Sequence, residues 1–288
     1  MKVFITGAGG QLGYDLIRVL SSKHQVVAMT RAELDVTNET AVFQAIRNIK
    51  PDAVIHAAAY TNVDKAEQES HEAYTINSIG TKNVALAAAE IGAKLVHIST
   101  DYVFDGSKRS PYIETDRPNP LGVYGNSKLH AEKFVELISG QYFILRTSWL
   151  YGKNGSNFVT KMISLGRQHG ELKVVSDQFG SPTYTLDLAR FIEYLIQTDC
   201  YGLYHVANRG QCSRYAFAQA IFQALNWHHV KLVPISSAGF LSAAQRPEYS
   251  VFDDSAIRLN HLPRLRDWKD ALNDFLHNDF VLEEPADD

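Results

Sequence analysis

The sequence of 288 residues contains few cysteines, no basic block and no long apolar run. Two cysteines, Cys200 and Cys212, are too few for a disulfide framework or a thiolate metal site. A net charge of −4 without clustered Lys and Arg gives no support to nucleic-acid or anionic-membrane binding. No stretch reaches the roughly 20 apolar residues of a transmembrane helix, and the chain begins with a strand pattern rather than a signal peptide. We therefore expect a cytoplasmic protein without a membrane or nucleic-acid partner.

The composition that is present is that of an ordinary globular protein. Hydrophobic residues make up 45% and charged residues 21% of the chain, which at this length permits a large core. One large domain or two closely packed domains would both fit the length. The one compositionally biased segment is the acidic tail at residues 283–288, which we expect to be a frayed end.

A glycine-rich turn follows the first apolar run. Residues 2–6 (KVFIT) predict a buried strand, and Gly7, Gly10 and Gly13 follow it, ahead of an amphipathic helix. Glycines at this spacing permit a tight turn and let a pyrophosphate approach the backbone, while the helix N-terminus offers N–H groups. A plain strand-to-helix turn could carry the same glycines. Their position at the first such turn favours a dinucleotide site.

The second predicted strand, Gln25–Met29, ends at Thr30 and Arg31. Sites for NAD place an acidic residue about 20 residues beyond the glycines, where it binds the ribose 2′-hydroxyl. Here Arg31 could instead bind a 2′-phosphate, which slightly favours NADPH. Glu33 and Asp35 follow closely, so NADH stays open, and an ordinary solvated arginine would explain Arg31 nearly as well.

Strands and helices alternate over the first half of the chain. Further apolar strands are predicted at residues 52–56, 94–99 and 142–147, with helices between them. This alternation predicts a parallel sheet with helices on both faces, in which ligands bind beyond the carboxyl ends of the strands. The small residues 57–59 at one such end leave room for a cofactor or for close helix packing, and His56 is expected to be a buried strand histidine rather than a ligand.

The expected fold is α/β, with a Rossmann-type doubly wound parallel sheet. We predict a dinucleotide-binding domain over residues 1–150, with a returning segment around residues 176–210. Residues 151–288 are expected to form mainly a smaller α+β region that binds the substrate. Helices are predicted over residues 41–49, 77–91, 158–166, 186–196, 215–225 and 268–275, and short strands over residues 172–175, 202–206 and 231–234.

Tyr124 and Lys128 are the side chains best suited to chemistry. On a helix that starts near Tyr124 they share one face, with Cβ atoms about 5–6 Å apart. A phenol loses its proton near pH 10, and a nearby ammonium lowers that pKa, so the pair is a tunable proton source for carbonyl reduction. A surface helix would allow the same spacing. The catalytic interpretation is favoured because Thr100, at the end of the fourth strand, should meet the pair in the crevice that also holds the glycine turn.

A loop in the second half contains one further candidate, Arg246, between turn-forming residues. An anionic group of a substrate is a natural partner for a guanidinium fixed in this way. A surface salt bridge would explain the same residue equally well.

Seven motifs, in order along the chain, resemble one enzyme family. They are GAGGQLG at residues 7–13, HAAAYTNVDKAE at 56–67, ISTDYVFDG at 98–106, YGNSK at 124–128, RTSWLYG at 146–152, QFGSPTY at 178–184 and RPEYS at 246–250. Together they resemble the dTDP-4-dehydrorhamnose reductases of the extended short-chain dehydrogenase/reductase superfamily. The strings STDYVF and RTSW are more specific than the glycines or Y-x-x-x-K, which the whole superfamily shares.

The resemblance implies reduction of the C4 keto group of dTDP-4-dehydro-6-deoxy-L-mannose to dTDP-L-rhamnose, with NADPH or NADH. It implies that Tyr124 donates the proton, and that Lys128 lowers the pKa of Tyr124 and holds the nicotinamide ribose. Thr100 would hydrogen-bond the reacting oxygen. The remaining implied contacts are Asp101, Tyr102 and Trp149 with the sugar nucleotide, Gly10, Gln11 and Leu12 with the pyrophosphate, Asp35 and Val36 with the adenine, and Ala57, Ala58, Ala59, Tyr60 and Thr61 beside the cofactor.

The resemblance also bears on partners and on rival functions. Some relatives bind magnesium at a dimer interface through clustered glutamates; Asp15 and Leu186 stand at the matching positions here, so no metal is expected, and a monomer or a homodimer stays open. One alternative is another extended short-chain nucleotide-sugar epimerase or 4-ketoreductase. The other is a non-catalytic regulatory subunit like that of methionine adenosyltransferase, against which the presence of Thr100, Tyr124 and Lys128 argues.

Overall fold

The computed structural model describes residues 1–239 and 242–280, so the predicted acidic tail at residues 283–288 lies outside the described residues. The strands are β1 (Lys2–Thr6), β2 (Gln25–Met29), β3 (Ala53–His56), β4 (Lys94–Thr100), β5 (Tyr142–Thr147), β6 (Leu150–Tyr151), β7 (Glu171–Val175), β8 (Phe179–Gly180), β9 (Thr183–Tyr184), β10 (Gly202–His205), β11 (Cys212–Ser213) and β12 (Lys231–Ile235).

The α-helices are α1 (Gln11–Leu20), α2 (Glu39–Ile49), α3 (Val63–Ala66), α4 (Ser70–Tyr74), α5 (Thr81–Glu90), α6 (Val123–Ile138), α7 (Phe158–Gln168), α8 (Thr185–Leu195), α9 (Arg214–Ala224), α10 (Ser255–Leu259) and α11 (Trp268–Asp274). Short 3₁₀ turns lie at Asp101–Val103 and Ser237–Gly239, and π-helical turns at Thr75–Gly80 and Phe275–Asp279. In the described part of the chain, no helix has the length and apolar character that a bilayer crossing requires.

A parallel sheet forms the centre of the fold, with the strand order β10-β5-β4-β3-β1-β2. Alternate side chains of a strand point to opposite faces. In β1, Val3 and Ile5 therefore pack in the core that α1 and α8 cover, while Phe4 packs in the core that α2, α5 and α6 cover. The predicted Rossmann-type doubly wound sheet is confirmed.

The sheet has its reversal point between β1 and β3, because β2 lies outside β1 and β4 outside β3. In open parallel sheets, this is the place where a crevice opens beyond the carboxyl ends of the strands. The glycine turn after β1 and the alanines after β3 both lie there, as the sequence predicted.

The second half of the chain contributes both to the sheet and to a separate layer. Strand β10 pairs with β5 at the sheet edge. Strands β7 and β12 form a parallel pair, and α7, α9 and α11 enclose an aromatic core that contains Tyr151, Phe217 and Phe275. The predicted strands and helices are confirmed within one or two residues, apart from the helix predicted over residues 77–91.

That helix begins with the π-helical turn Thr75–Gly80 and continues as α5. The side chain of Asn77 accepts a hydrogen bond from the backbone N–H of Tyr60 (2.7 Å) and donates to its carbonyl (3.1 Å). The Thr81 hydroxyl donates to the Asn77 carbonyl (2.6 Å). These tertiary contacts accompany the wider turn, and apolar periodicity carries no information about them.

Leu16→Ala should lower the free energy of unfolding by about 2–5 kcal/mol, because Leu16 is fully buried between α1, α8 and the sheet. The midpoint of urea unfolding, followed by tryptophan fluorescence, measures the loss. Leu137, which is 83% exposed, is the matched control, and Leu137→Ala should change the free energy by no more than about 0.5 kcal/mol. Equal losses in the two variants would contradict this packing.

Candidate active site

One large cavity, of about 1470 Å³, lies beyond the carboxyl ends of the central strands. Its volume exceeds the roughly 300–1,000 Å³ of a typical small-molecule site, so it has room for two ligands. Of the residues predicted for the site, those that line the cavity are Gly7, Gly10, Gln11, Leu12, Gly13, Arg31, Asp35, Val36, Ala57, Ala58, Ala59, Tyr60, Thr61, Thr100, Asp101, Tyr102, Tyr124, Lys128, Trp149 and Arg246. Thr30 is the exception.

The glycine turn is pressed against the end of β3. Gly7 has a positive φ of 76°, and a Cβ there would lie 2.6 Å from the backbone nitrogen of Ala58. A Cβ on Gly13 would lie 2.3 Å from the Gly7 carbonyl oxygen. Helix α1 starts after Gly10 without a side-chain cap, so its first N–H groups stay open to an anion. This cradle fits the pyrophosphate of a dinucleotide.

The end of β2 forms the rim of the cavity. The Thr30 hydroxyl and backbone N–H both donate to one carboxylate oxygen of Glu33 (2.8 Å each), which explains why Thr30 does not face the cavity. Asp35 accepts from the backbone N–H (2.9 Å) and the hydroxyl (2.8 Å) of Thr37, and these bonds lower the pKa of Asp35. The Arg31 guanidinium is mostly exposed and lies 3.5 Å from a Glu72 carboxylate oxygen.

Thr100 and Tyr124 meet because α6 packs directly on the turn that follows β4. A Cβ on Gly125 would lie 2.1 Å from the Tyr102 carbonyl oxygen, so only glycine allows this approach. The Thr100 hydroxyl caps the turn by accepting from the backbone N–H of Tyr102 (3.2 Å), and it lies close enough to the Tyr124 phenol to lower its pKa. The rings of Tyr102 and Tyr124 stand edge to face, with centroids 5.5 Å apart.

Lys128 is buried one turn after Tyr124. Its Nζ lies 3.3 Å from Nε2 of His97, a strand histidine that sequence reasoning missed. Burial and the Lys128 charge hold the pKa of His97 well below its ordinary value, so His97 is neutral and can accept a hydrogen bond. The signal that could have revealed it is the pairing of His56 and His97 as partners in one register of β3 and β4. His56 itself is buried, as predicted, and bonds to Thr6 and Thr81.

The pKa of Tyr124 does not follow the expectation that Lys128 lowers it. Burial raises the pKa of Tyr124 above its ordinary value, against a smaller lowering by Thr100. Burial also lowers the pKa of Lys128 to about 7, so the ammonium is only partly charged at neutral pH. Desolvation, which the sequence does not reveal, is therefore the main cause of both pKa shifts.

A buried ion pair fixes α6 on the sheet. Glu132 accepts from Nε (2.9 Å) and Nη2 (2.7 Å) of Arg146, and it also accepts a hydrogen bond from the Ser99 hydroxyl. Ser99 and Arg146 are register partners on β4 and β5. The pair was missed in the sequence, although an arginine inside the apolar run of β5 is the signal that could have revealed it.

Asn77 links the two halves of the cavity. Besides the backbone of Tyr60, its amide reaches the Ser127 hydroxyl (2.9 Å), which lies between Tyr124 and Lys128 on α6. The loop that follows β3 and the helix α6 therefore share one side chain, at a π-helical turn of the kind frequent at functional sites.

At the turn after β4, Asp101 is buried and accepts a hydrogen bond from the Ser250 hydroxyl (2.7 Å). Burial raises the pKa of Asp101 to about 6. Trp149, with a positive φ of 48°, lies under the guanidinium of Arg214, whose Cζ is 3.5 Å from the ring centroid. Sequence reasoning missed Arg214. The signal was a cation in the first turn of a helix, where the dipole disfavours it.

Arg246 has features of both predicted roles, a salt bridge and a contact with an anionic substrate. Its Nη2 donates to Asp64 (2.8 Å), which is the salt bridge, yet the side chain lines the cavity and its Nη1 has no hydrogen-bond partner among the described residues. The side chain therefore keeps donors for a further acceptor.

Asp15 and Leu186 do not form a carboxylate cluster. Asp15 is buried and accepts from the Thr185 hydroxyl, and Leu186 is buried in the aromatic core. Within residues 1–239 and 242–280, no group of three or more His, Cys, Asp or Glu side chains is placed to hold a metal ion.

Comparison with known proteins gives consistent relatives over nearly the whole chain. The family model described as RmlD substrate binding domain matches residues 1–280. Spore coat polysaccharide biosynthesis protein SpsK of Bacillus subtilis is 42% identical over 96% of this chain and 96% of its own length. A dTDP-4-dehydrorhamnose reductase of Aggregatibacter actinomycetemcomitans is 41% identical over 94% of this chain and 97% of its own length.

A solved structure agrees with these relatives. The crystal structure of dTDP-4-dehydrorhamnose reductase from Bacillus anthracis, in complex with NADP, has a TM-score of 0.94 against this chain and 47% sequence identity. The similarity covers 96% of this chain and 98% of that chain. From the match over residues 1–280 and these identities, the chain belongs to the RmlD family.

Proposed function

We propose that this protein is an NADPH- or NADH-dependent oxidoreductase that reduces the C4 keto group of dTDP-4-dehydro-6-deoxy-L-mannose to dTDP-L-rhamnose. The observation that carries the proposal is the meeting of Thr100 and Tyr124 in one cavity with the glycine cradle. The names of relatives that are 41% and 47% identical support the choice of substrate.

The cofactor half of the cavity fits a nicotinamide dinucleotide. The open N–H groups at Gln11 and Leu12 would hold the pyrophosphate, and Asp35 and Val36 would border the adenine. The side chains Ala57, Ala58, Ala59, Tyr60 and Thr61 would lie beside the cofactor. A bound cofactor supplies the hydride.

The chain's own residues supply the proton and position the carbonyl. As negative charge develops on the keto oxygen, Thr100 and Tyr124 donate hydrogen bonds to it, and Tyr124 then gives up its proton. The raised pKa of Tyr124 keeps that proton in place at neutral pH until the oxygen becomes strongly basic. Lys128, which His97 contacts, would hold the ribose and stabilise the phenolate that results.

On the substrate side, we assign Asp101, Tyr102, Trp149 and Arg246 to the sugar nucleotide. The domain division into residues 1–150, with the segment around residues 176–210, and a substrate region over residues 151–288 follows the same assignment. A cytoplasmic location and the choice between monomer and homodimer stay predictions.

Tyr124→Phe should lower kcat for reduction of the dTDP-4-keto sugar by about 10²–10⁴-fold, because the phenol supplies the proton. Affinity for NADPH, measured by fluorescence titration, should stay within about twofold. Tyr194→Phe, at an exposed tyrosine of α8, is the matched control and should leave kcat unchanged. NADPH oxidation at 340 nm measures the rates.

This assay also separates the alternatives. A nucleotide-sugar epimerase would interconvert epimers without net loss of NADPH, and a different 4-ketoreductase would prefer another sugar in a panel of nucleotide 4-keto sugars. A non-catalytic regulatory subunit would oxidise no NADPH with any of them, and Tyr124→Phe would not alter its function. Any of these three patterns would refute the proposal.

Lys128→Met should raise the midpoint of urea unfolding at pH 7, with a gain that shrinks towards pH 10. The pKa of Lys128 is about 7 in the folded chain and about 10.4 when unfolded, so the unfolded state binds more protons between these values. Wild-type stability therefore rises with pH across this window, by at most about 1.4 kcal/mol per pH unit, and falls towards pH 7. The same variant should lose most of its activity.

Lys133→Met, at an exposed lysine of the same helix, is the control and should show no such dependence. If the stability gain of Lys128→Met stayed constant from pH 7 to pH 10, burial would not lower the pKa of Lys128 in the folded chain.

Arg31→Ala should raise KM for NADPH about tenfold while KM for NADH changes less than twofold, because a guanidinium forms charge-assisted bonds with the 2′-phosphate that only NADPH carries. Initial rates with the two cofactors at fixed sugar concentration measure the difference. Equal changes for both cofactors would assign Arg31 to the solvated rim, where Glu72 is its partner.

A further inference from the structure

Arg214 carries hydrogen-bond donors for which the described residues offer no acceptor. Its guanidinium lies over the rings of Trp149 (3.5 Å) and Phe158 (5.3 Å), and its side chain forms no hydrogen bond with any described residue. A guanidinium has five N–H donors in a fixed planar arrangement. Because Arg214 lines the large cavity, these donors are available to a ligand there.

The location of Arg214 is unfavourable for a cation by itself. Arg214 is the first residue of α9, where the helix dipole repels positive charge. Burial disfavours its charge and Arg246 adds a smaller repulsion; Tyr102 and Asp101 offset these effects only in part, so the pKa of Arg214 lies below its ordinary value. A residue held where several effects oppose its charge needs a compensating partner.

The acidic groups near Arg214 are already engaged. Asp101 accepts from the hydroxyls of Ser250 and Thr100, and Asp64 binds Arg246. The part of the cavity wall that the second half of the chain forms carries four cations, Arg214, Arg246, Lys161 and Lys173, against the carboxylate of Glu248, and Asp101 lies near Arg214. Glu248 in turn lies 3.1 Å from the Arg109 guanidinium. This wall is therefore suited to an anion with more than one negative charge.

We propose that Arg214 binds the diphosphate of the nucleotide-sugar substrate, with the free Nη1 of Arg246 as a second donor. The assignment rests on the proposed function, since a nucleotide sugar brings the diphosphate. Planar guanidinium groups bind phosphoryl oxygens through paired, charge-assisted hydrogen bonds. A dianion that lies between the two arginines would offset the repulsion between their guanidinium groups.

Arg214 also ties this anion site to the sugar site. It covers one face of the Trp149 indole, and the backbone of Gly180 lies against the ring as well, so close that a Cβ there would be 2.4 Å from it. Trp149 is therefore packed against two groups, one of which would bind the diphosphate. The same guanidinium would orient the indole towards the sugar that the diphosphate carries.

The test compares Arg214→Met, which keeps apolar packing on Trp149, with Arg214→Lys, which keeps the charge but loses the planar fork. Isothermal titration calorimetry of dTDP into the protein saturated with NADP⁺ gives the affinities. We expect dTDP to bind about 10- to 100-fold more weakly to Arg214→Met, and less weakly to Arg214→Lys. Added NaCl should weaken dTDP binding more steeply in the wild type than in Arg214→Met.

Arg117→Met, at an exposed arginine outside the cavity, is the control and should bind dTDP like the wild type. Retained dTDP affinity in Arg214→Met would overturn the proposal and leave Arg214 as a packing partner of Trp149. An equal loss of NADP⁺ affinity in that variant would also overturn it, because the defect would not be specific to the diphosphate.

The outcome is distinguishable from failure of the proposed function. A wild-type protein that binds dTDP through Arg214 but reduces no dTDP-4-keto sugar would contradict the function alone. A protein that reduces the sugar and keeps dTDP affinity in Arg214→Met would contradict the Arg214 assignment alone. Absence of any dTDP binding by the wild type would contradict both.

Discussion

The buried ion pair of Glu132 with Arg146 is the interaction on which the geometry of the active site depends. Charges removed from water are costly unless they are paired with good geometry, and removal of one partner typically costs about 3–5 kcal/mol. Here both oxygens of Glu132 are engaged by Arg146, and Ser99 donates to the same carboxylate. The pair fixes the position of α6 on β4 and β5. It therefore sets the position of Tyr124 on the helix relative to Thr100 at the end of β4.

Desolvation gives that geometry its chemical character. Burial favours the neutral form of three titratable groups in the site: Tyr124 keeps its proton, Lys128 loses part of its charge, and the pKa of Asp101 rises to about 6. A neutral phenol is the form that a proton donor needs. The site is thus prepared for a substrate that develops negative charge, and the arrival of charge would shift all three equilibria together.

The sequence was sufficient for the features that depend on local pattern. The glycines around Gly7, the apolar runs of the central strands and the helical spacing of Tyr124 and Lys128 all report on neighbouring residues, and each was predicted. Partners distant in sequence were not: Glu132 and Arg146 meet through the sheet, and Arg214 reaches Trp149 from another layer. Burial depth was equally invisible, which is why the expected direction of the Tyr124 pKa shift was wrong.

Strand β10, from the second half of the chain, completes the sheet that the first half forms, and this affects whether the first half could exist alone. Strand β5 would be the edge of the sheet without β10, and its residues Phe143, Ile144 and Leu145 are fully buried. A fragment that stopped near residue 150 would expose an apolar strand with unpaired backbone groups, the kind of edge that recruits other chains. The segment of residues 1–150 is therefore not an autonomous module to which the rest of the chain was added. Its solubility depends on a segment that the chain reaches only after passing through the other half.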